Sequence, residues 1–585
     1  MTRGPGKRLT ADALALRRPL RAAVLALNSQ YVHSSLAPWC LCAGVPAFSR
    51  LNHSASVLEG TVNESLHTVA DRVTAAAPQV LGFCCYIWNI KAIKKLLPLL
   101  RAALPDCVFV LGGPEVTFCP EEALSALPGA DFLISGEGER PFALLLDALA
   151  GEGSLEAVPG LCWRQKEAEG FRLSPPHAHA QMPPSPYTPA YFSQLAGRIA
   201  YIEASRGCPF ACAFCLSGRE GLRPQRAPLE RVFSELDALA HSGARTIKFV
   251  DRTFNVNRNR ADAILGYLIN KSAAYPPGIT FHFEIAGDIL AASTLALIAS
   301  APPGLFQFEI GLQSMDEATL LRVRRKTDME KLSKNVRALI ATGRARVHLD
   351  LIAGLPGEGL SSFARGFDEA FLLKPHALQL GFLKVIPGSA MREEPENYPL
   401  TFEPEAPYTV LSTPWLSESD LNTLRLAERA LDKLHNSGRF ARTLTWLIRG
   451  QGLSPFELFK RLGRVITEKE AGGKALSLDQ LTTLTLSHFT ALLPGKGDAL
   501  RDLMLLDRLS SVPSSVLPAC LKAPDPRYFE IKRVLAARFP RSPGVTRAMG
   551  FLKGQDRVVF CDYQEKNPVT GRFPLQVLNP ARLGL

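Results

Sequence analysis

Residues 206–215 of the chain read Arg206-Gly207-Cys208-Pro209-Phe210-Ala211-Cys212-Ala213-Phe214-Cys215. This stretch places three cysteines in a C-x3-C-x2-C spacing, with an aromatic residue directly before the last of them. Cysteine thiolates are the usual ligands of iron–sulfur clusters, so three of them this close can hold three irons of a [4Fe–4S] cluster. No fourth cysteine is placed nearby, and this leaves one iron open to a chelating small molecule.

A structural zinc site and a disulfide are the alternative interpretations of this motif. Structural zinc usually takes four ligands in two paired halves, whereas here there are three cysteines and no downstream histidine at the usual partner spacing. The remaining cysteines show no paired framework, and Cys84 and Cys85 lie inside an apolar run, where free cysteine acts as a small buried hydrophobe. This usage of cysteine favours a reducing, cytoplasmic location.

The motif strongly resembles that of the radical SAM superfamily. The resemblance implies that Cys208, Cys212 and Cys215 hold the cluster. It also implies that the open iron binds the amino and carboxylate groups of S-adenosylmethionine. An electron from the cluster would then split that molecule into methionine and a 5′-deoxyadenosyl radical.

The length and composition of the chain set the frame for the remaining motifs. With 585 residues, 46% hydrophobic and 21% charged, the chain is long enough for about three ordinary globular domains. Its apolar runs are too short to span a bilayer, and residues 1–20 form a basic arm without the apolar segment of a secretory signal. The formal charge of +12 is spread along the chain, which favours a solvated surface over a nucleic-acid partner.

Residues 21–150 alternate short apolar runs with helical patterns, which predicts a parallel, doubly wound α/β sheet of the Rossmann-like type. Ligands of such sheets lie at the carboxyl ends of the strands. The predicted strands are Ala22–Leu27, Ala55–Gly60, Gln79–Tyr86, Val108–Leu111 and Asp131–Ser135, with helices at Ser35–Gly44, Glu64–Ala77, Ile90–Leu104 and Pro141–Ala150.

The carboxyl ends of these strands carry polar and glycine-rich segments, and glycine lets a ligand approach the backbone closely. The region resembles the cobalamin-binding domain that precedes many radical SAM barrels. That resemblance implies that the glycine pairs contact the corrin and the nucleotide tail. The candidate cobalamin residues are His33, Tyr86, Trp88, Gly112, Gly113, Pro114, Glu115, Gly136 and Glu137.

One feature of that family is missing. The D-x-H-x-x-G motif, whose histidine binds cobalt from below, is absent. Either cobalt has no lower protein ligand, or His33 acts from an unusual place. A Rossmann-like domain that binds nothing, or binds a nucleotide, is the alternative, although no G-x-G-x-x-G follows the first strand.

Residues 151–191 are rich in proline, which precludes a helix and predicts an extended connector. From residue 192 to 395 six strand-like runs follow, each leaving room for a helix, and they predict a partial (β/α)6 barrel. Barrel chemistry lies at the carboxyl strand ends, and the cysteine motif follows the first strand. The strands are Ile199–Ala204, Thr246–Val250, Thr280–Ile285, Leu305–Gly311, Arg346–Ile352 and Leu378–Val385.

Three of these strands alternate apolar residues with polar or charged ones. Because side chains alternate faces along a strand, one face is predicted to be polar. Buried carboxylates without partners destabilise a fold, so the barrel interior must bind something polar, hold water, or pair His348 with a carboxylate. The residues are His282 and Glu284, Gln307 and Glu309, and His348 and Asp350.

The superfamily resemblance also implies contacts to S-adenosylmethionine at positions after the strands. These are Phe214 and the loop of Gly354 and Pro356 near adenine, Asp251 at the amino group, Glu284 at the ribose, and Gln313 and Arg324 at the carboxylate.

Residues 396–585 are predicted to be mostly helical. Ser417–Leu434 has a clear apolar stripe, and further helices are expected at Pro455–Ile466, Leu478–Leu492 and Ala499–Leu509. Val558–Tyr563 and Arg572–Leu575 are predicted to form a hairpin. The stretches Phe308–Met315 and His348–Glu358 resemble one branch of cobalamin-type radical SAM proteins. Residues 396–585 resemble the C-terminal domain of unknown function, DUF4080, of that branch.

The function predicted from the sequence is that of a cobalamin-dependent radical SAM enzyme that methylates an unactivated carbon of a small-molecule substrate. Its cofactors would be a [4Fe–4S] cluster, S-adenosylmethionine and cobalamin, with a reducing partner such as flavodoxin or ferredoxin. One alternative is radical rearrangement or cyclisation with cobalamin as electron shuttle, and another is a cofactor-binding sensor or scaffold. RNA modification is a further possibility, but no RNA-binding module or additional cluster cysteines are evident.

Overall fold

The computed structural model describes residues 19–165, 170–175, 182–218, 224–539 and 546–583. The chain forms two compact units: the first contains residues up to Glu284 together with Lys384–Val410, and the second contains Ile285–Leu383 and the residues from Leu411 onward. All but the last two residues of the basic arm predicted at 1–20 lie outside the described residues. No helix in the described part of the chain is long and apolar enough to cross a membrane.

The first unit begins with a seven-stranded sheet in the order β2-β1-β3-β4-β5-β6-β7. Strands β1 to β5 are parallel to one another, as predicted, whereas β6 is antiparallel to β5, and β7 is antiparallel to β6. The strands are β1 (Arg21–Asn28), β2 (Ser54–Thr61), β3 (Val80–Cys84), β4 (Val108–Gly112), β5 (Phe132–Ile134), β6 (Leu161–Arg164) and β7 (Phe171–Leu173).

Helices cover both faces of this sheet, because successive residues of each strand point to opposite sides. Leu25 and Leu27 of β1 belong to one core with α2, α3 and α4, whereas Val24 and Ala26 belong to another with α1 and α5. This is the doubly wound arrangement predicted from the sequence. The helices are α1 (Ala37–Phe48), α2 (Leu66–Ala76), α3 (Ile90–Ala103), α4 (Pro120–Ala126) and α5 (Glu139–Leu149).

The segment predicted as an extended connector contains structure that the proline count concealed. Leu161, Cys162 and Trp163 form β6 and are buried against the sheet, so the N-terminal sheet extends past residue 150. Three apolar residues beside the open edge of a sheet bury apolar surface and also satisfy backbone hydrogen bonds by pairing with that edge. These two gains favour a strand where the prolines alone predict an extended connector. Residues 176–181 of the connector lie outside the described residues.

Three predicted barrel strands belong to the first unit. Strand β11 lies between β8 and β12 and is parallel to both. A short antiparallel pair, β9 and β10, flanks the cysteine motif. The elements are α6 (Pro189–Phe192), β8 (Ile199–Ile202), β9 (Ser205–Arg206), β10 (Gln225–Arg226), α7 (Leu229–Ala240), β11 (Thr246–Phe249), α8 (Arg258–Lys271) and β12 (Thr280–Ile285).

The other three barrel strands belong to the second unit, where β14 lies between β13 and β15 in parallel. Burial alternates along β13 and β14 as predicted: the apolar residues are buried, and the polar ones are only partly so. The elements are α9 (Ala292–Ala299), β13 (Phe306–Gln313), α10 (Glu317–Arg322), α11 (Met329–Ala341), β14 (Arg346–Ala353), α12 (Leu360–Leu372) and β15 (Ala377–Phe382).

After β15 the chain passes through α13 (Ala390–Glu393), β16 (Thr401–Phe402) and β17 (Val410–Ser412) and then becomes mostly helical, as predicted. Ser417 and Ser477 begin α14 and α17 with capping boxes, each satisfying backbone N–H groups at a helix start. The helices are α14 (Glu418–Leu431), α15 (Ala441–Thr445), α16 (Pro455–Glu470), α17 (Leu478–Leu492), α18 (Gly497–Ser511) and α19 (Tyr528–Arg538).

The predicted C-terminal hairpin is correct only in part. Strand β19 (Arg557–Cys561) lies between β18 (Ala548–Leu552) and β20 (Gln576–Leu578), so the sheet has three antiparallel strands. Residues 572–575, predicted as the second strand, precede β20 and are not in a strand. The pairing partner of an edge strand depends on the register of distant residues, which local pattern does not reveal.

Candidate functional site

A cavity of about 580 Å³ opens at the carboxyl ends of the N-terminal strands. It lies where a doubly wound sheet places its ligands. The predicted cobalamin residues that line it are His33, Tyr86, Trp88, Gly112, Gly113, Gly136 and Glu137.

An aromatic platform follows β3 at the wall of this cavity. The rings of Tyr86 and Trp88 stack with centroids 4.3 Å apart and planes 7° from parallel. Buried Asn89 fixes the turn: its side-chain amide donates to the carbonyls of Leu27 and Cys84 and accepts the backbone N–H of Tyr86. The Trp88 side chain is 48% exposed, so the platform offers a flat apolar surface to a ligand.

His33 is held on the cavity wall by contacts to the first barrel strand. Its Nδ1 lies 2.7 Å from the Tyr201 hydroxyl, and Arg198 donates to its backbone carbonyl. Burial, with the nearby charges of Lys248 and Arg198, lowers the pKa of His33, so the imidazole is neutral near pH 7. A neutral imidazole is the form that binds metal.

Two of the predicted cobalamin residues do not line the cavity. Pro114 is exposed, and Glu115 accepts a hydrogen bond from the Tyr408 hydroxyl. Burial raises the pKa of Glu115. The tight turn before them depends on Gly113, whose φ of +112° and whose approach to Cys85 leave no room for a Cβ, which would lie 2.5 Å from the Cys85 carbonyl oxygen.

The barrel side of the same cavity is lined by residues that sequence reasoning missed. Tyr201 and Glu203 come from β8 and its end, Arg206 precedes the cysteine motif, and Arg252 follows β11. Arg206 contacts three carboxylates, those of Glu203, Glu139 and Glu137. The sequence shows charged residues beside the cysteine motif, but it does not show which carboxylates they contact.

The cysteine loop is shaped by its own backbone. The N–H of Cys208 donates to the Ser217 carbonyl, and the N–H of Cys215 donates to the Cys212 carbonyl. The backbone N–H of Ser217 donates to the Cys215 sulfur, with 3.4 Å between nitrogen and sulfur. A thiolate ligand of a metal centre accepts hydrogen bonds of this kind. Gly218 closes the loop, and a Cβ there would lie 1.5 Å from the Phe210 carbonyl oxygen.

The sulfurs of the three cysteines are not gathered around a single-ion site. In the described ranges, the group of potential ligands whose atoms lie within 4.8 Å of one another is Glu309, His348 and Asp350, and it includes no cysteine. A single zinc ion would need its thiolates closer together than a cubane does.

Asp251 lies at the end of β11 and is buried, with 2% of its surface exposed. Its Oδ2 accepts the backbone N–H of Ala204, and its Oδ1 accepts the Ser205 hydroxyl. Burial raises the pKa of Asp251 to about 7, against the opposing effect of these two hydrogen bonds. Both carboxylate oxygens thus bind the chain just before the cysteine loop.

Replacing Asp251 tests which role its carboxylate has. We expect Asp251→Ala to lower iron retention, because the buried N–H of Ala204 loses its acceptor at a cost of roughly 1–3 kcal/mol. Asp251→Asn can keep both contacts and should restore most of the iron. Iron content after anaerobic reconstitution is the measurement, and full iron with weakened S-adenosylmethionine binding in Asp251→Ala would instead favour direct contact with that molecule.

The other S-adenosylmethionine candidates of the first unit are Phe214 and Glu284. Phe214 is half-buried within the cysteine loop. Glu284 ends β12 and pairs with Lys248 of β11, with 3.3 Å between Nζ and Oε1. The carboxylate of Glu284 is thus paired with a lysine of the neighbouring strand, and its side chain remains about one quarter exposed.

In the second unit, three of the S-adenosylmethionine candidates after β13 and β14 have positive φ angles. Gln313 and Arg324 have φ of +67° and +59°, a conformation that non-glycine residues adopt at some cost. Gly354 has φ of +95°, and Gly354 and Pro356 are both buried. Strain of this kind is often concentrated at binding loops.

Glu358 joins the two loops that carry these residues. Its Oε1 accepts the Ser314 hydroxyl at 2.7 Å, and its Oε2 is buried with no hydrogen-bond partner among the described residues. Burial raises the pKa of Glu358 from 4.5 to about 7, despite the bond from Ser314.

Glu358 should make the stability of this unit depend on pH. The folded protein binds the proton more tightly than the unfolded chain, so stability is full below about pH 4.5 and is lost as pH rises through 7. The loss is on the order of 3 kcal/mol for a shift of this size. We expect Glu358→Gln to flatten the decline in melting temperature between pH 5 and 7.5, whereas the exposed control Glu330→Gln should follow the parent protein.

The polar face of β13 and β14 brings three predicted interior residues together. His348 Nε2 lies 2.8 Å from Asp350 Oδ1, and Glu309 has a ligand atom within 4.8 Å of both. Burial raises the pKa of Asp350, and Glu309 adds to this. The pairing of His348 with a carboxylate was one of the alternatives for this face, but all three side chains remain only partly buried and can still meet a ligand.

Comparison with known families defines the class of protein. The chain matches the B12 binding domain over residues 23–146, the Radical SAM superfamily over 202–369, and a protein family of unknown function, DUF4080, over 396–542. It therefore carries these three domains in the order predicted from its sequence.

Particular proteins are similar over parts of the chain. An uncharacterized methyltransferase, PH0819, of Pyrococcus horikoshii is 29% identical over 36% of this chain and 48% of its own length. The cobalamin-dependent radical SAM methyltransferase TokK of Streptomyces tokunonensis is 25% identical over 57% of this chain and 51% of its own. The chain thus spans about half the length of the curated relatives it matches.

A solved structure supports the fold. The cobalamin-dependent S-adenosylmethionine radical enzyme OxsB, with aqua-cobalamin bound, matches 85% of this chain and 80% of its own, with a TM-score of 0.59. The sequences are 14% identical, so this likeness concerns the fold alone.

Proposed function

We propose that the protein is a radical SAM enzyme that uses cobalamin to methylate an unactivated carbon of a small-molecule substrate. One observation carries the proposal: the large cavity of the B12-binding domain is walled on its other side by Glu203 and Arg206, which lead directly into the cysteine loop. The two predicted cofactor sites of the first unit therefore adjoin. Its methyltransferase-named relatives support the choice of reaction.

The residues around the cavity fit cobalamin. A corrin is broad and flat, and the stacked Tyr86 and Trp88 rings present a flat surface at the mouth of a cavity in the size range of ligand pockets. Gly136, with φ of +92°, has no atom within 4 Å of the place a Cβ would take, so a ligand can approach its backbone. We propose that His33, with its lowered pKa and its ring fixed by Tyr201, would be one of the residues that hold cobalamin in this cavity.

The cysteine loop fits a [4Fe–4S] cluster held by Cys208, Cys212 and Cys215. The donor set is three thiolates with a backbone N–H directed at one sulfur, which stabilises negative charge on it. We assign Phe214, Glu284, Gln313, Arg324, Gly354 and Pro356 to S-adenosylmethionine, and we assign Asp251 to holding the start of the loop.

The bound cofactors would supply the radical and the methyl group, and the protein would position and shield them. Tyr201 orients His33, Asn89 fixes the aromatic platform, and Asp251 fixes the strand end from which the cysteines project. Hydrogen bonds within the protein hold these groups in place, which reduces the ordering that cofactor binding must supply.

The substrate is proposed to bind through hydrogen-bond donors. Glu309, His348 and Asp350 form a polar face with two carboxylates, which accept hydrogen bonds from hydroxyl or ammonium groups. A purely apolar substrate would remove water from these partly buried polar groups, at a cost in free energy. The electron donor, a flavodoxin or ferredoxin, and a cytoplasmic location also belong to the proposal.

The reaction is tested with S-adenosylmethionine labelled in its methyl group, under anaerobic conditions with a reductant and a set of polar metabolites. Methyl transfer predicts label in a product, with S-adenosylhomocysteine and 5′-deoxyadenosine formed together. 5′-Deoxyadenosine without S-adenosylhomocysteine would favour rearrangement or cyclisation. Cofactor binding without any cleavage would favour a sensor, and label in added RNA would favour RNA modification.

A further inference from the structure

Arg206 contacts three carboxylates of the first unit. Its Nε and Nη2 donate to the two carboxylate oxygens of Glu203 at 2.9 and 2.7 Å. Its Nη2 also donates to Glu139 at 2.8 Å, and its Nη1 lies 3.5 Å from Glu137. Burial alone would lower the pKa of Arg206, but Glu139 and Glu203 outweigh it and hold that pKa above its ordinary value.

The three carboxylates belong to different parts of the chain. Glu137 lies between β5 and α5 and Glu139 is the first residue of α5, and both line the cavity of the B12-binding domain. Glu203 follows β8, and Arg206 stands two residues before Cys208. The guanidinium of Arg206, just before the cysteine loop, therefore contacts carboxylates on both sides of the cavity: Glu137 and Glu139 after β5, and Glu203 after β8.

A second connection runs between the same two regions. Within residues 384–410, the N–H of Met391 donates to the carbonyl of Ala213, which lies inside the cysteine loop. The Tyr408 hydroxyl of the same segment donates to Glu115, in the loop after β4. The cysteine loop is thus tied to two loops of the N-terminal domain, through Arg206 on one side and through this segment on the other.

We propose that Arg206 is a positioning residue that couples occupancy of the cobalamin cavity to the cysteine loop. The inference rests on the proposed function and goes beyond it, because it makes the two cofactor sites energetically dependent on each other. A ligand that shifts Glu137 and Glu139 must shift the guanidinium they hold, and with it the backbone that precedes Cys208. By linkage the effect is reciprocal, so the cluster must alter the affinity for cobalamin by the same factor.

The chemistry of arginine is required for this coupling. A planar guanidinium with five donors can hold Glu203 in a fork and Glu139 at the same time. Lysine keeps the charge but offers a single point of attachment, so it cannot keep all three carboxylates in register. Arg206→Lys therefore separates the geometry of the contact from its charge.

The test measures hydroxocobalamin binding by anaerobic ultrafiltration with cobalt analysis, on full-length protein with the cluster reconstituted and on the same protein after removal of iron by a chelator. The ratio of the two dissociation constants reports the coupling and requires no turnover. We expect a ratio of about fivefold or more in the parent protein, the lower end of coupling between linked sites.

Arg206→Lys and Glu139→Gln should each bring this ratio close to one while the iron content is kept. The matched control is Arg101→Lys, since Arg101 forms an equally short pair with Asp131 inside the N-terminal domain but does not line the cavity. This control should keep the parent ratio.

The outcomes separate the coupling from the function on which it rests. A ratio near one in the parent protein, or an undiminished ratio in Arg206→Lys, would overturn the coupling while leaving cobalamin binding in place. Failure of both parent preparations to retain hydroxocobalamin would overturn the proposed function, and the coupling with it.

Discussion

Cys212→Ala is expected to abolish the iron–sulfur absorbance and all cleavage of S-adenosylmethionine. The remaining two cysteines cannot hold three irons, and the sequence of the loop contains no other cysteine. The loss should be complete rather than partial, because the radical chemistry requires the cluster. Visible absorbance and iron content after anaerobic reconstitution are the measurements.

The control for this substitution is Cys520→Ala, since Cys520 is a partly buried cysteine that lies outside the loop. It should keep its iron and its absorbance. Retention of a cluster by Cys212→Ala would remove this cysteine from the ligand set.

Gly112→Leu is expected to prevent cobalamin binding and to leave the cluster intact. Gly112 ends β4 and lines the cavity, and a Cβ there would meet only the Ile134 carbonyl oxygen, at an ordinary contact distance of 3.7 Å. The larger side chain can therefore be accommodated by the backbone but would occupy the space of the ligand. We expect cobalamin affinity to fall by at least about a hundredfold, or roughly 3 kcal/mol.

Gly266→Leu is the matched control, because a Cβ at this position in α8 meets no atom within 4 Å. Cobalt retention after gel filtration and iron content together measure the effect. Normal cobalt retention by Gly112→Leu would place the cobalamin elsewhere than in this cavity.

Much of the fold could be predicted because its rules are local. The five parallel strands of the N-terminal sheet appear as short apolar runs between helical patterns, and their faces divide into the two predicted cores. The alternation in β13 and β14 likewise predicted a polar face, and Glu309, His348 and Asp350 lie together there. In each case spacing along the chain determines which side chains share a face.

The strands that escaped prediction are those whose pairing is antiparallel and added at an edge. Leu161 to Trp163 form a short apolar run within a proline-rich segment, and pairing with the neighbouring β5 and β7 makes it part of a strand. The same holds for β18, which pairs with β19. Edge strands of three to five residues carry too little periodic signal to be distinguished from loops.

The contacts between distant charged residues could not be predicted either. Glu139 and Arg206 are 67 residues apart, and nothing in the sequence pairs them. Asp251 stands where the superfamily resemblance implies a contact to S-adenosylmethionine, yet its two oxygens bind Ala204 and Ser205. Resemblance transfers a position along the chain, whereas the hydrogen bonds made there depend on this protein's own packing.

The most direct test of the two-cofactor proposal is metal analysis of protein purified anaerobically with hydroxocobalamin supplied. We expect about four irons, a matching amount of sulfide and about one cobalt per chain. Iron without cobalt would contradict the role proposed for the N-terminal cavity and, with it, the proposal that cobalamin supplies a methyl group. Cobalt without iron would contradict the role proposed for the three cysteines, and with it the radical reaction.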